Sequence, residues 1–170
     1  MIDSSTYKDI DRLLDLISKI KSFVNETDLS EYTVNIIDPK ITDRSGIVLW
    51  NVHTNHDIDN NLKNLASDVT DIVKTFTGLQ RIIVNFLGPM SCMPMHIDHE
   101  EPNNDYNMVI PLTNNGWFLL DDKVIKSTSD KIIIFDGTTL YGVMNDTTEK
   151  RISVYFSIDK ERFSSVVDEK

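Results

Sequence analysis

Cysteine is almost absent from this chain. Cys92 is the only one in 170 residues, which excludes an intramolecular disulfide and fits a reducing, cytoplasmic setting. Basic residues are outnumbered, 17 against 27 acidic, for a formal net charge of -10. A surface this acidic has no general attraction for phosphate backbones or anionic lipid, so neither nucleic acid nor a membrane is expected as a partner. Long hydrophobic runs are missing too: the longest, at 81–84 and 131–135, are strand-sized and far too short to span a bilayer. The opening Met1-Ile2-Asp3-Ser4-Ser5 is polar and acidic, unlike a secretory leader. Histidine is scarce, with four in all and none after His99.

What is present describes an ordinary globular chain. Hydrophobic residues make up 40% and charged residues 26%, and no repeat, linker or low-complexity tract divides the sequence. The expectation is one domain over 1–170, with a helical and extended part at 1–78 and a β core at about 80–158. Ile10, Leu13, Leu14, Ile17, Ile20, Phe23 and Val24 recur at helical spacing and predict a helix over 7–24. A second stripe, from Ile58 to Phe76, predicts another over 58–76. Glu31 to Ile37 and Gly46 to Val52 read as extended.

Beyond Gly78 the pattern is β. Strands are expected at Arg81–Leu87, Tyr106–Leu112, Trp117–Leu120, Val124–Lys126, Lys131–Phe135, Leu140–Met144 and Ile152–Ile158, with Met90–Met95 a loop. Short strands at near-regular spacing suggest a sandwich or barrel, with the two helices buttressing one face. Trp50 and Trp117 read as core, and Cys92 as a half-buried structural thiol.

The chemistry centres on Met95-His96-Ile97-Asp98. On an extended segment His96 and Asp98 project to the same side and can present an imidazole and a carboxylate to one divalent ion. At the other end of the core, Arg151 and Ser153 share a strand face opposite Ile152, Val154 and Phe156. A guanidinium beside a hydroxyl suits bidentate capture of a carboxylate; a solvent-facing arginine, or one paired with Glu149, is the plainer reading. His53 and His56 lie in a polar connection. Met90, Met93 and Met95 line either a pocket or a packed loop.

Gly88-Pro89, His96-x-Asp98, Val109-Ile110-Pro111-Leu112-Thr113-Asn114, Ile134-Phe135-Asp136, Val143-x-Asn145 and Arg151-x-Ser153 occur in an order and spacing that resembles the aspartyl/asparaginyl β-hydroxylase family of Fe(II)- and 2-oxoglutarate-dependent oxygenases. The likeness covers roughly residues 80–158. It implies a double-stranded β-helix, or jelly roll. It implies iron held by His96 and Asp98, 2-oxoglutarate gripped by Arg151 with Ser153, and hydroxylation of an amino acid or a peptide side chain. Succinate and CO2 would be the co-products.

Two departures stand out. Where such families carry a second histidine ligand, about ten residues before the arginine, this chain has Tyr141. A neutral phenol is a poor Fe(II) ligand until its proton is removed, although tyrosinate does ligate haem iron. Tyr141 as third ligand, water or another histidine (His99, His53 or His56), and a degenerate metal site all stay open. The other departure is Asn107, where amino-acid-hydroxylating relatives often carry an arginine. The readings are therefore an oxygenase, a non-catalytic jelly-roll binding module, and, most weakly, a cupin-like sugar-processing or storage protein. Glu100-Glu101 beside His99 suggest an acidic lip that favours cationic or zwitterionic substrates.

Overall fold

The computed structural model describes residues 4–26, 44–51, 79–98 and 105–161. Helix α1 (Ser4–Glu26) is followed by nine strands among the described residues: β1 (Arg44–Asn51), β2 (Leu79–Leu87), β3 (Cys92–His96), β4 (Asp105–Pro111), β5 (Trp117–Leu120), β6 (Lys123–Lys126), β7 (Ile133–Asp136), β8 (Tyr141–Met144) and β9 (Arg151–Asp159). They form two antiparallel sheets, β1-β2-β9-β4-β7 and β3-β8-β5-β6. The expected second helix, the strand at Glu31–Ile37, and His53, His56, His99 and Glu100-Glu101 all lie outside the described residues.

Alternation along the strands of the larger sheet builds two cores. On one face Ile82, Val84, Phe86, Met108, Ile110, Val154, Phe156 and Ile158 pack against Leu16, Ile17, Ile20 and Val24 of α1. Leu16 and Ile20 are fully buried, and each such side chain contributes about 1.5–3 kcal/mol. The helical stripe is rotated from the expected one, since Leu16 is inside and Leu14 is 47% exposed. Lys21 Nζ donates to the Ser129 carbonyl at 3.1 Å and ties the helix to the chain after β6.

The other face meets the smaller sheet. Leu87, Val109, Ile133, Phe135 and Tyr155 pack against Met93, Phe118, Tyr141 and Val143. Phe118 lies 5.4 Å from Phe135 and 5.6 Å from Tyr141 between ring centroids, so aromatic packing joins the two layers. Two sheets closed on a shared interior, with α1 against the outer face of the larger one, make a jelly roll. A double-stranded β-helix it is.

Several sequence expectations need correction. The segment expected as a loop at Met90–Met95 holds all but the last residue of β3, an edge strand. Pro94 and the mixed Cys-Met composition masked its strand character, and an edge is where a sheet tolerates proline. The strand expected at Lys131–Phe135 begins at Ile133. Cys92 is exposed rather than half-buried. Trp117 is not core: its indole donates to Asp146 Oδ2 at 2.8 Å while Lys126 Nζ sits 6.0 Å from the ring.

Candidate functional site

β3 delivers His96 to the mouth of the barrel, and Asp98 follows on the bend beyond it. His96 Nδ1 lies 2.8 Å from the Pro94 carbonyl oxygen. A carbonyl only accepts, so Nδ1 carries a hydrogen and the neutral ring keeps its lone pair on Nε2. Nε2 faces Asp98 Oδ1 at 3.3 Å. The hydrogen bond to Asp98 raises the imidazole above its ordinary pKa of 6.5, against the opposing pull of burial. A proton on Nε2 thus sits where a cation would.

Asp98 accepts from three neutral donors, and from His96 when that ring is protonated. Oδ1 receives the Tyr141 hydroxyl at 2.9 Å and faces His96 Nε2 at 3.3 Å. Oδ2 receives the Tyr155 hydroxyl at 2.8 Å and Asn107 Nδ2 at 3.3 Å. The Tyr155 hydroxyl also touches Asn107 Oδ1, so one hydrogen serves two acceptors. Burial pushes the Asp98 carboxyl up, but the hydrogen bonds from His96, Tyr155 and Tyr141 outweigh it and hold it below its usual 3.8. Both phenols move the other way: burial, then the charge of Asp98, drives them well above 10.0, so they are neutral donors.

Arg151 opens β9, the central strand of the larger sheet, and is 2% exposed. Its guanidinium donates to Ser127 Oγ at 3.1 Å and Ser153 Oγ at 3.2 Å. Among the described residues no carboxylate lies within ion-pair distance of it. Burial alone pulls its pKa down to about 10, so at neutral pH it remains a cation held by hydroxyls. The plainer readings of this residue, solvent-facing or paired with Glu149, are overturned. The turn that presents it is built from amides: Asn145 Nδ2 donates to the carbonyls of Gly88 at 2.8 Å and Glu149 at 2.7 Å, and Asn115 Nδ2 to that of Glu149 at 3.2 Å.

One cleft reaches from Tyr141 and Tyr155 of the Asp98 cluster to Arg151 and Ser153. Arg44, Asn85, Tyr141, Arg151, Ser153 and Tyr155 supply its polar lining, and Leu87, Met93, Val109, Phe118 and Val143 belong to its apolar wall. Of the three methionines considered, only Met93 lines it.

No family model and no curated protein sequence matches this chain. Solved structures do. A prolyl-4-hydroxylase from Pseudomonas putida superposes with a TM-score of 0.55 at 14% identity, over 86% of this chain and 87% of its own. A 2OG-Fe(II) oxygenase family oxidoreductase from Burkholderia pseudomallei gives 0.54 at 14%, over 85% and 77%. A polyketide cyclase from Streptomyces resistomycificus gives 0.48 at 8%, over 74% and 72%. At such identities the likeness is one of fold, and function has to be argued from the cleft.

The residues foreseen for the site, His96, Asp98, Tyr141, Arg151 and Ser153, do converge, the first three around one carboxylate and the last two at the cleft's other end. Tyr155 and Ser127 were not foreseen as site residues, and Asn107, noted only as a departure at a substrate-gripping position, instead bonds Asp98 and Tyr155. Tyr155 had a signal: it continues the 151, 153 alternation onto the same face. Ser127 had none. Among the described residues no three His, Cys, Asp or Glu side chains cluster as a metal site. The donor set for a cation is an imidazole with its lone pair free, a carboxylate and a phenol. The imidazole and the carboxylate fit two positions of an open ferrous site, and the neutral Tyr141 hydroxyl, whose hydrogen goes to Asp98 Oδ1, fits a third only once that proton is lost.

Proposed function

We propose that the protein is an Fe(II)- and 2-oxoglutarate-dependent oxygenase that oxidises a C–H bond of an amino acid or a peptide side chain, releasing succinate and CO2. The observation that carries this reading is Arg151, a cation 2% exposed, paired only with hydroxyls among the described residues, and lining the cleft that also holds Tyr141 and Tyr155. Burying an unpaired guanidinium is costly, and an incoming carboxylate relieves that cost.

His96 and Asp98 would hold the ion, with Tyr141 at the third position; when bound, ferrous iron supplies the activation of dioxygen. Tyr155 and Asn107 fix Asp98 Oδ2 and thereby aim Oδ1 at His96. Arg151, Ser153 and Ser127 would grip the far carboxylate of 2-oxoglutarate. The apolar wall around Val109, Phe118 and Val143 excludes water.

A second reading, a binding module without turnover, draws its support from the neutral, deeply buried Tyr141 in place of a second imidazole. Anaerobic titration with Fe(II), with and without 2-oxoglutarate, separates the two. A visible metal-to-ligand charge-transfer band that requires both ligands and vanishes in Arg151→Ala supports the oxygenase. If the band is missing in the native chain but arises in Tyr141→His, the protein is the binding module.

A further inference from the structure

β3 and β8 pair antiparallel, yet their register breaks between two inward-facing pairs. Met93 stands opposite Val143 and His96 opposite Tyr141, so Pro94 and Met95 together face Gly142 alone. This is a β-bulge, an extra residue on an edge strand. It changes which way His96 points. Cys92 is exposed, Met93 buried and Pro94 exposed, and strict alternation from there would turn Met95 inward and His96 out to solvent. Instead both bulge residues are exposed, and His96 comes in beside the Tyr141 ring and within reach of Asp98.

Two residue types make the bulge. Pro94 has no N–H to give to a ladder, and sheets accept proline at edges and bulges. Gly142 lets β3 settle onto β8. A Cβ there would lie 3.0 Å from the Met93 carbonyl oxygen, 3.0 Å from Met95 Sδ and 3.2 Å from the Met95 nitrogen. Two of these three atoms are backbone, so a side chain at 142 has to move the bulge itself. The bulge also brings the Pro94 carbonyl oxygen to 2.8 Å from Nδ1 of His96, two residues on. Free histidine prefers its hydrogen on Nε2. Here the carbonyl holds that hydrogen on Nδ1 and leaves the Nε2 lone pair on the Asp98 side.

We propose that the bulge of Pro94 and Met95, seated on Gly142, is the positioning device of the site: it turns His96 inward and fixes the tautomer in which Nε2 can take a cation. Gly142, Pro94 and Met95 are positioning residues, and none of them supplies a ligand. The inference deepens the oxygenase reading, on which the identity of the cation rests.

The test is ring-nitrogen NMR on the full, metal-free chain, isotope-labelled at histidine and held at alkaline pH where the ring is neutral. The His96 signals are those lost in His96→Gln. The native chain is expected to carry the hydrogen on Nδ1. Gly142→Val is expected to return His96 to the tautomer preference of free histidine and to weaken Co(II) and Fe(II) binding about tenfold to a hundredfold. Deleting Met95 restores regular pairing, so His96 is expected to stay opposite Tyr141 and the chain to stay folded, while the Nδ1 hydrogen bond is lost. Gly116→Ala serves as a control that lowers stability elsewhere and keeps the native tautomer.

A native His96 with its hydrogen on Nε2 would overturn the inference. So would a folded Gly142→Val that keeps the native tautomer and metal affinity. If Gly142→Val does not fold, the Met95 deletion decides: an unchanged tautomer there overturns the inference, and a changed one supports it. A native chain that shows the Nδ1 hydrogen but binds neither ion overturns the oxygenase reading alone.

Discussion

Tyr141 stands directly opposite His96 on the β3–β8 ladder, and both side chains reach Asp98 Oδ1. The ring centroids are 4.5 Å apart. Position 141 is therefore where a second imidazole would complete a facial set with His96 and Asp98, and a phenol occupies it.

Replacing that phenol is informative in both directions. Tyr141→His is expected to tighten Fe(II) or Co(II) binding at least tenfold, read by metal titration. Tyr141→Phe removes a hydrogen bond to a charged acceptor and costs about 1.5–3 kcal/mol, visible in chemical denaturation. If Tyr141 is a ligand in the native chain, the Phe variant also weakens metal binding.

Arg151→Met separates function from stability. The change removes a desolvated cation whose described partners are hydroxyls, so folding stability is expected to stay within about 1 kcal/mol of the native value or to rise. The melting response to 2-oxoglutarate is expected to vanish. A large loss of stability would mean that Arg151 is chiefly structural.

Metal binding should strengthen as pH rises. His96 has its pKa raised above 6.5 by Asp98, and the proton on Nε2 competes with the cation until pH passes that raised value. Affinity is expected to climb by up to about tenfold per pH unit below it and to level off above. For the metal-free protein the signs of the stability contributions differ. The His96 contribution is complete below 6.5 and lost as pH rises through the folded value. The Asp98 contribution is present above 3.8 and lost as pH falls through its lowered value. Melting temperatures of His96→Gln and the native chain across pH should converge at the alkaline end.

Gly116→Ala tests the support of Arg151 and of the cosubstrate site proposed there. Gly116 has φ +77, and an added Cβ would lie 2.3 Å from the Met144 carbonyl oxygen and 3.3 Å from Arg151 Cδ. The backbone strain alone costs on the order of 1–3 kcal/mol. A lower melting temperature is expected, together with weaker 2-oxoglutarate binding because Arg151 is displaced.

The strands of the larger sheet were legible because side-chain period follows from backbone geometry alone. Residues 82, 84 and 86 on β2 and 152, 154, 156 and 158 on β9 read as one apolar face, and they meet α1 as that pattern requires. The same alternation set Arg151 and Ser153 on the inner face. Period is silent on neighbours across space. That β9 is central, which leaves Arg151 buried, depends on long-range pairing with both β2 and β4. The contact between Arg151 and Ser127 joins residues 24 apart, and that between Tyr155 and Asp98 joins residues 57 apart. The sequence by itself determined the alternation, the apolar stripe of the helix and the chemical types available. Only the tertiary structure decided which of those groups share a carboxylate and which cation goes unpaired, because burial and pairing are properties of chain closure.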